Sequence, residues 1–209
     1  MNQLIVPYVT PWTGESTSAP PVTVTASGVA YADPVQDALA RDVDGVLWTL
    51  CGGTATGRPE YAAQLHPERQ RTAMENLLCA CCKKQAARDD RGMLWLLPLL
   101  DDTERWEGVH SAIPPMCGAC AESVPRLCPW LREGHVQLRV REAEPIGVRG
   151  TLHPRPCESG APEPGVFVRY DSPDLPFVVA REAVRELRGT TVVALVASIG
   201  GPRRGGRSE

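Results

Sequence analysis

Apolar and polar positions break the chain into short elements. In Val22-Thr23-Val24-Thr25 the β-branched residues alternate, the period of a half-buried strand. Residues 4–9 form a short apolar run, and residues 14–21 between the two read as a loop. Asp33 followed by Pro34 marks a helix running to about Ala40, because aspartate caps the first amides and proline suits the first turn. Residues 45–50 read as a buried strand stopped by Gly52-Gly53. Residues 66–78 have helical spacing: Gln70, Met74, Leu77 and Cys81 share one face, with Pro67 and Glu68 in the first turn. Residues 93–97 are a continuous apolar strand broken at Pro98, followed by a polar turn region over 101–109. Beyond Pro114-Pro115 a short helical segment ends at Pro129, kinked or split into two turns at Pro125.

The last third mixes both periods. Val136, Leu138 and Val140 alternate with Gln137, Arg139 and Arg141, a half-buried strand. Residues 146–152, 166–170 and 177–179 are further strands, and 154–165 is a Pro/Gly loop. Ala180, Ala183, Val184 and Leu187 recur at helical spacing, which predicts a helix capped by Gly189. Residues 190–196 form a strong strand. The expected organisation is α+β in four parts: a β-rich N-terminal segment (1–62), a cysteine-bearing module (63–131), an α+β C-terminal segment (132–199) and a disordered tail (200–209). No long linker separates the first three, so one continuous core is expected.

Composition adds limits. The chain has 209 residues, 43% hydrophobic and 22% charged, values of a soluble globular protein. No apolar run approaches the ~18 residues of a membrane span. The net charge is −3, a handicap for a protein that lives on phosphate contacts. The charge is uneven, however: residues 61–91 carry six basic groups against four acids and lead into the cysteines, while residues 1–60 carry −4. Lys83 and Lys84 are the only lysines among 22 basic residues, a bias that fits a GC-rich genome.

Eight cysteines admit two explanations, disulfides in a secreted protein or metal ligation in a reducing compartment. Met1-Asn2-Gln3 has no basic n-region and Leu4-Ile5-Val6 is cut short by Pro7, so the start does not read as an export signal and a cytoplasmic location is expected. Spacing favours metal. Cys79-x-x-Cys82 and Cys117-x-x-Cys120 each point two sulfurs at one ion from a tight turn, and together they complete a tetrahedral Cys₄ site suited to Zn²⁺. Thirty-four residues separate the pairs, room for a hairpin and a loop. Lys83 and Lys84 at the first pair, and a helix start at the second, favour thiolates.

This arrangement resembles a treble clef: a knuckle, a β-hairpin, then a helix whose first turn gives the last two ligands. The likeness covers residues 76–131 and is greatest to the cysteine-bearing HNH endonuclease module. Pro98 fits that module's Asp-His…Pro element, but Trp95-Leu96-Leu97 stand where its catalytic histidine would be. The knuckle departs too, with Cys81 inside it and Lys83 where glycine is usual. The whole also looks like small zinc-finger proteins of actinobacteria and their phages.

The resemblance implies a nuclease only if a general base and a divalent ion can be found. Leu96 supplies neither, Asp101 and Asp102 read as solvated surface, and His110 is the one histidine between the pairs. No catalytic residue is therefore assigned. His110 and Cys81 remain possible substitutes as zinc ligands. Cys128 reads as a buried small hydrophobe, and Cys51 and Cys157 as packed or free thiols. His66 reads as a cap or surface residue, and His135 and His153 as exposed. Cys117-Gly118-Ala119-Cys120 alone has the form of a redox pair, but no βαβ pattern frames it. Residues 52–57 are Gly-rich yet lack the Lys-Ser/Thr ending of a phosphate loop.

Two functions compete. One is a non-enzymatic module with structural zinc, binding nucleic acid or protein, whose basic approach comprises Arg69, Arg71, Lys83, Lys84, Arg88 and Arg91. The bland reading of that run is a solvated helix face. The other is an enzyme, a divergent HNH-type nuclease or a thiol oxidoreductase. No small-molecule substrate is evident.

Overall fold

The structure, a computed structural model, describes residues 6–18, 20–61, 64–99 and 105–197. Asp101, Asp102 and the tail 200–209 lie outside the described residues, as do residues 1–5 of the N-terminal apolar run. In chain order the strands are β1 (Glu15–Ser18), β2 (Val22–Thr25), β3 (Gly28–Tyr31), β4 (Leu47–Trp48), β5 (Leu50–Gly53), β6 (Arg88–Asp89), β7 (Gly92–Pro98), β8 (Val109–Ser111), β9 (Gly134–Leu152), β10 (Glu163–Arg169) and β11 (Val178–Ala197). The helices are α1 (Pro34–Ala40), α2 (Pro67–Glu75), α3 (Gly118–Ser123) and α4 (Pro129–Arg132). The fold is α+β with strands predominant, and no described helix is long and apolar enough to cross a membrane.

The long antiparallel pair β9–β11 is the spine, matched from Val178↔Leu152 to Ala197↔Gly134. On the far side of β9, β7 pairs with one half and β10 with the other. On the far side of β11, β4 pairs in parallel at Val179 and Ala180, and β8 pairs antiparallel at Arg185–Leu187. Strands from all three expected segments thus share one sheet. The sheet curls enough that His110 on β8 meets Phe167 on β10, ring centroids 5.0 Å apart.

Helix α1 begins as its cap predicts, with the Asp33 side chain accepting from the Val35 and Gln36 amides. The chain between Cys117 and Pro129 splits into α3 and a 3₁₀ turn, Val124–Arg126, with Pro125 inside that turn, before α4. Other expectations need correction. Residues 180–187 are strand, not helix. Along β11 the register slips between Ala180 and Glu182 and between Val184 and Arg185. Each bulge shifts the period of two, so burial falls on Ala180, Ala183, Val184 and Leu187 and imitates a helical stripe. Helix α2 ends at Glu75, short of the expected 78, because Leu77 adopts φ 52. The Leu77 amide then bonds Met74 O at 3.4 Å and the Leu78 amide bonds Ala73 O at 2.9 Å, a Schellman ending with leucine where glycine is usual.

β7 is apolar throughout because both its faces are covered. Leu94 and Leu96 pack among the cysteines with Met116, Val124 and Leu131. Met93, Trp95 and Leu97 pack with Val136, Leu138 and Leu187 on the other side. Gly92 opens the strand at φ 122, where a Cβ would stand 2.3 Å from Val140 O. Gln70 is fully buried and ties α2 to the sheet. Its Nε2 donates to Ala112 O (2.6 Å) and Ala183 O (2.9 Å), and its Oε1 accepts from the Ala183 amide at 3.0 Å.

Candidate metal centre

The Schellman ending of α2 delivers the chain into the first cysteine pair. The Cys79 amide donates to Lys84 O at 2.7 Å and the Lys83 amide to Cys79 O at 3.0 Å, closing residues 79–84 into a tight turn. Lys83 sits at φ 61, which explains why glycine is usual at that position. The N-terminal chain straps this turn, with the Tyr8 amide on Cys81 O (2.8 Å) and the Val9 amide on Ala80 O (3.1 Å). The Lys83 ammonium lies over the Tyr8 ring at 5.1 Å.

The second pair arrives beside it. Pro115 O accepts from the Ala80 amide (2.9 Å), Met116 O accepts from the Ala87 amide (2.9 Å), and the Met116 amide donates to Leu94 O (2.9 Å). These bonds lay residues 115–116 between the first turn and β7. Cys117 is then the extended N-cap of α3 and Cys120 stands in its first turn. Turn, β6–β7 hairpin and helix follow one another in the chain.

The four ligand sulfurs of Cys79, Cys82, Cys117 and Cys120 all lie within 4.8 Å of one another. Cys82 Sγ and Cys117 Sγ are 3.6 Å apart. A disulfide needs about 2.05 Å. Zinc–sulfur bonds of about 2.3 Å in a tetrahedron place sulfurs about 3.8 Å apart. All eight cysteines are free thiols, so the donor set is four unpaired sulfurs close enough together to be gathered round one ion. Burial pushes the Cys79 and Cys120 thiols above their ordinary value. At Cys117 burial acts the same way, but the Cys120 amide and the neighbouring thiols outweigh it and the net shift is downward. Four thiolates cannot share so small a volume without a compensating cation, and a bound divalent ion supplies that charge. The residues present therefore fit a metal ion.

Cys81 is buried beside the cage but outside the set of four, its thiol pushed up to about 11 chiefly by burial. His110 also stands outside that set, exposed on β8 against Phe167. Cys128 is half-buried, Cys51 half-buried and Cys157 exposed. Where an HNH module would carry its general base, Leu94 through Leu97 are buried in the two core clusters.

The basic residues divide. Lys83, Lys84, Arg88 and Arg91 are exposed around the first pair and the hairpin. Arg91 bonds Asp89 at 3.1 Å. Arg69 turns inward, its guanidinium held by both Glu15 oxygens at 2.6 and 2.7 Å. Arg71 lies over the Trp48 ring at 4.7 Å with Glu75 3.7 Å away. His66 caps α2 through Nδ1 and is buried near Glu15, its Nε2 3.8 Å from the carboxylate. His135 is buried against Leu131 O at 3.0 Å, and His153 is half-buried, so neither has the exposure expected. The Glu15–Arg69–His66 cluster has no sequence signal, because Glu15 lies 54 residues from Arg69.

The chain matches no protein-family model, no curated protein and no solved structure.

Proposed function

We propose that the protein is a cytoplasmic, non-enzymatic binding module built around one structural Zn²⁺ held by Cys79, Cys82, Cys117 and Cys120. The observation that carries this reading is the closed set of four sulfurs within 4.8 Å. Four protein ligands leave no open position for substrate or activated water, the mark of a structural site. The order of turn, hairpin and helix, with the left-handed Lys83 in the turn, supports a treble clef in this region. Eight free thiols suit a reducing compartment. Exposed Lys83, Lys84, Arg88 and Arg91 offer phosphate contacts, which favours nucleic acid as the partner.

The test is metal analysis with a salt-dependent DNA and RNA titration. Protein purified without chelator should carry about one zinc per chain, the stoichiometry of one Cys₄ site. Cys79→Ser and Cys117→Ser should lose it; full retention in both would refute the assignment. Binding should weaken with salt, with a log–log slope of about one unit per phosphate contact, and Lys84→Ala with Arg88→Ala should flatten that slope. Absence of binding to either nucleic acid would leave a protein as the partner.

A further inference from the structure

An apolar cavity of ≈ 500 Å³ lies at the seam between the cysteine module and the curled sheet. That volume is within the ~300–1,000 Å³ range of small-molecule sites. Its body is lined by Leu96, Trp106, Ile113, Met116, Val124 and Leu131, drawn from the two core clusters that β7 separates. The cavity opens to solvent where Glu60, Gln64 and Trp130 are exposed, so a ligand has a way into its apolar body.

The lining also has a polar end. Arg149 on β9 pairs in register with Glu182 on β11 and with Phe167 on β10. His110 rests on Phe167, so His110, Arg149 and Glu182 gather at one place. One hydrogen bond, 3.2 Å from Arg149 Nη1 to Glu182 Oε2, joins the two charges among the described residues. The guanidinium, with five N–H groups, keeps donors in hand, and the carboxylate keeps an acceptor oxygen. A carboxylate ligand would confront Glu182 and an ammonium ligand would confront Arg149. A neutral head that donates and accepts at once meets both partners.

We infer that this cavity binds a small uncharged molecule with an apolar chain or ring and an amide-type head, the head set between Arg149 and Glu182. None of the four ligand cysteines lines the cavity, but Ala80, Val124 and Leu131 of its wall belong to the cysteine module; zinc content, measured on the same samples, separates a failure of this inference from a failure of the zinc reading. The ligand enters apolar end first, leaving water from the cavity wall, while the amide N–H reaches the Glu182 carboxylate and the amide oxygen accepts from Arg149. No bond is made or broken.

Nile red fluorescence tests the cavity, and displacement by decanamide, decanoate and decylamine tests the head. Wild type should bind one Nile red per chain, with decanamide the strongest of the three competitors. Ala112→Trp, which fills the cavity from the loop after β8, should abolish saturable Nile red binding while zinc is retained. Arg149→Ala, at a partly exposed position, should weaken decanamide about tenfold, the scale of one charge-assisted hydrogen bond. This second variant keeps the test open if Ala112→Trp does not fold. No saturable binding, unchanged binding in Ala112→Trp, a charged competitor that outranks decanamide, or no response to Arg149→Ala would each overturn the inference.

Discussion

At the scale of single residues, two residues with left-handed backbone bracket the first cysteine pair. Leu77 (φ 52) and Lys83 (φ 61) are the non-glycine residues with positive φ among those described. An L-residue pays about 1–2 kcal/mol for that conformation. Lys83 regains part of it through its cation–π contact with Tyr8, about 0.5 kcal/mol at an exposed site. Lys83→Gly should therefore raise stability by about 0.5–1 kcal/mol, with zinc content unchanged, as read by urea unfolding of the metal-loaded protein. A loss of stability would mean that the lysine contributes more than its backbone costs. Burial beside Glu15 gives a second residue-scale consequence. Burial, and then the Arg69 charge, hold the His66 imidazole below its ordinary value of 6.5. The unfolded chain takes up this proton near pH 6.5 while the folded chain resists, so stability falls as pH drops through that value. Burial would raise the Glu15 carboxyl, but Arg69 and the Trp12 amide outweigh it and hold it below the usual range. Its contribution persists to lower pH and is lost only as the carboxylate protonates. Melting temperature should decline in two stages on acidification. His66→Asn keeps a cap acceptor and should shrink the first stage while sparing the second; His153, also held low by burial, accounts for what remains.

At the scale of elements, the metal would cross-link short pieces that are weak on their own. α3 has six residues and α4 four, both far below the length at which helices persist alone. The turn over 79–84 buries only the small side chains of Cys79, Ala80 and Cys81. β7, by contrast, is paired with β9 from Met93 to Pro98 and packed on both faces. Chelation should therefore strip hydrogen-exchange protection from Cys79–Lys84 and from α3 and α4, while β7, β9 and β11 keep theirs. Protection unchanged at Ala121 and Leu131 after zinc removal would rule out a structural role. The same contrast explains which elements are legible in the sequence. The cysteine pairs can be read because ligand spacing within each turn is local, and α1 because Asp33 and Pro34 sit beside the helix they start. The two ends of β11 read as strands, but its middle, 180–187, cannot be read, since bulges fixed by pairing with β9 turn it into a helical-looking stripe. The inward turn of Arg69 is equally hidden, because its partner Glu15 is distant in the chain. The cavity is hidden too, since its apolar wall is assembled from residues that each look like ordinary core.

At the scale of the molecule, the three segments that the sequence suggests are joined through β11. Its first residues pack with the N-terminal segment, its middle with α2 and β8, and its last half lies along β9. Leu47 is the hinge of the first contact. It is 1% exposed, pairs in parallel with Val179, and packs with Val29, Tyr31 and Ala40. The next residue, Trp48, pairs with Ala180 and belongs to the cluster that also holds Met74, Val148 and Val168. A defect at Leu47 is thus one strand position from the core that spans α2, β9 and β10. Leu47→Ala should cost about 2–5 kcal/mol, the transfer and cavity terms of a buried leucine. If β11 makes the chain one cooperative unit, that loss must appear everywhere at once. Hydrogen exchange followed across a urea series can read it at two places: the β2–β3 pair near the substitution, and Leu138 and Val140 in the β7–β9 pair far from it. The two midpoints should coincide in wild type and move together in the variant. A variant in which β2, β3 and α1 open first, while β7–β9 keeps its wild-type midpoint, would instead make residues 1–62 an independent unit that merely docks on the sheet.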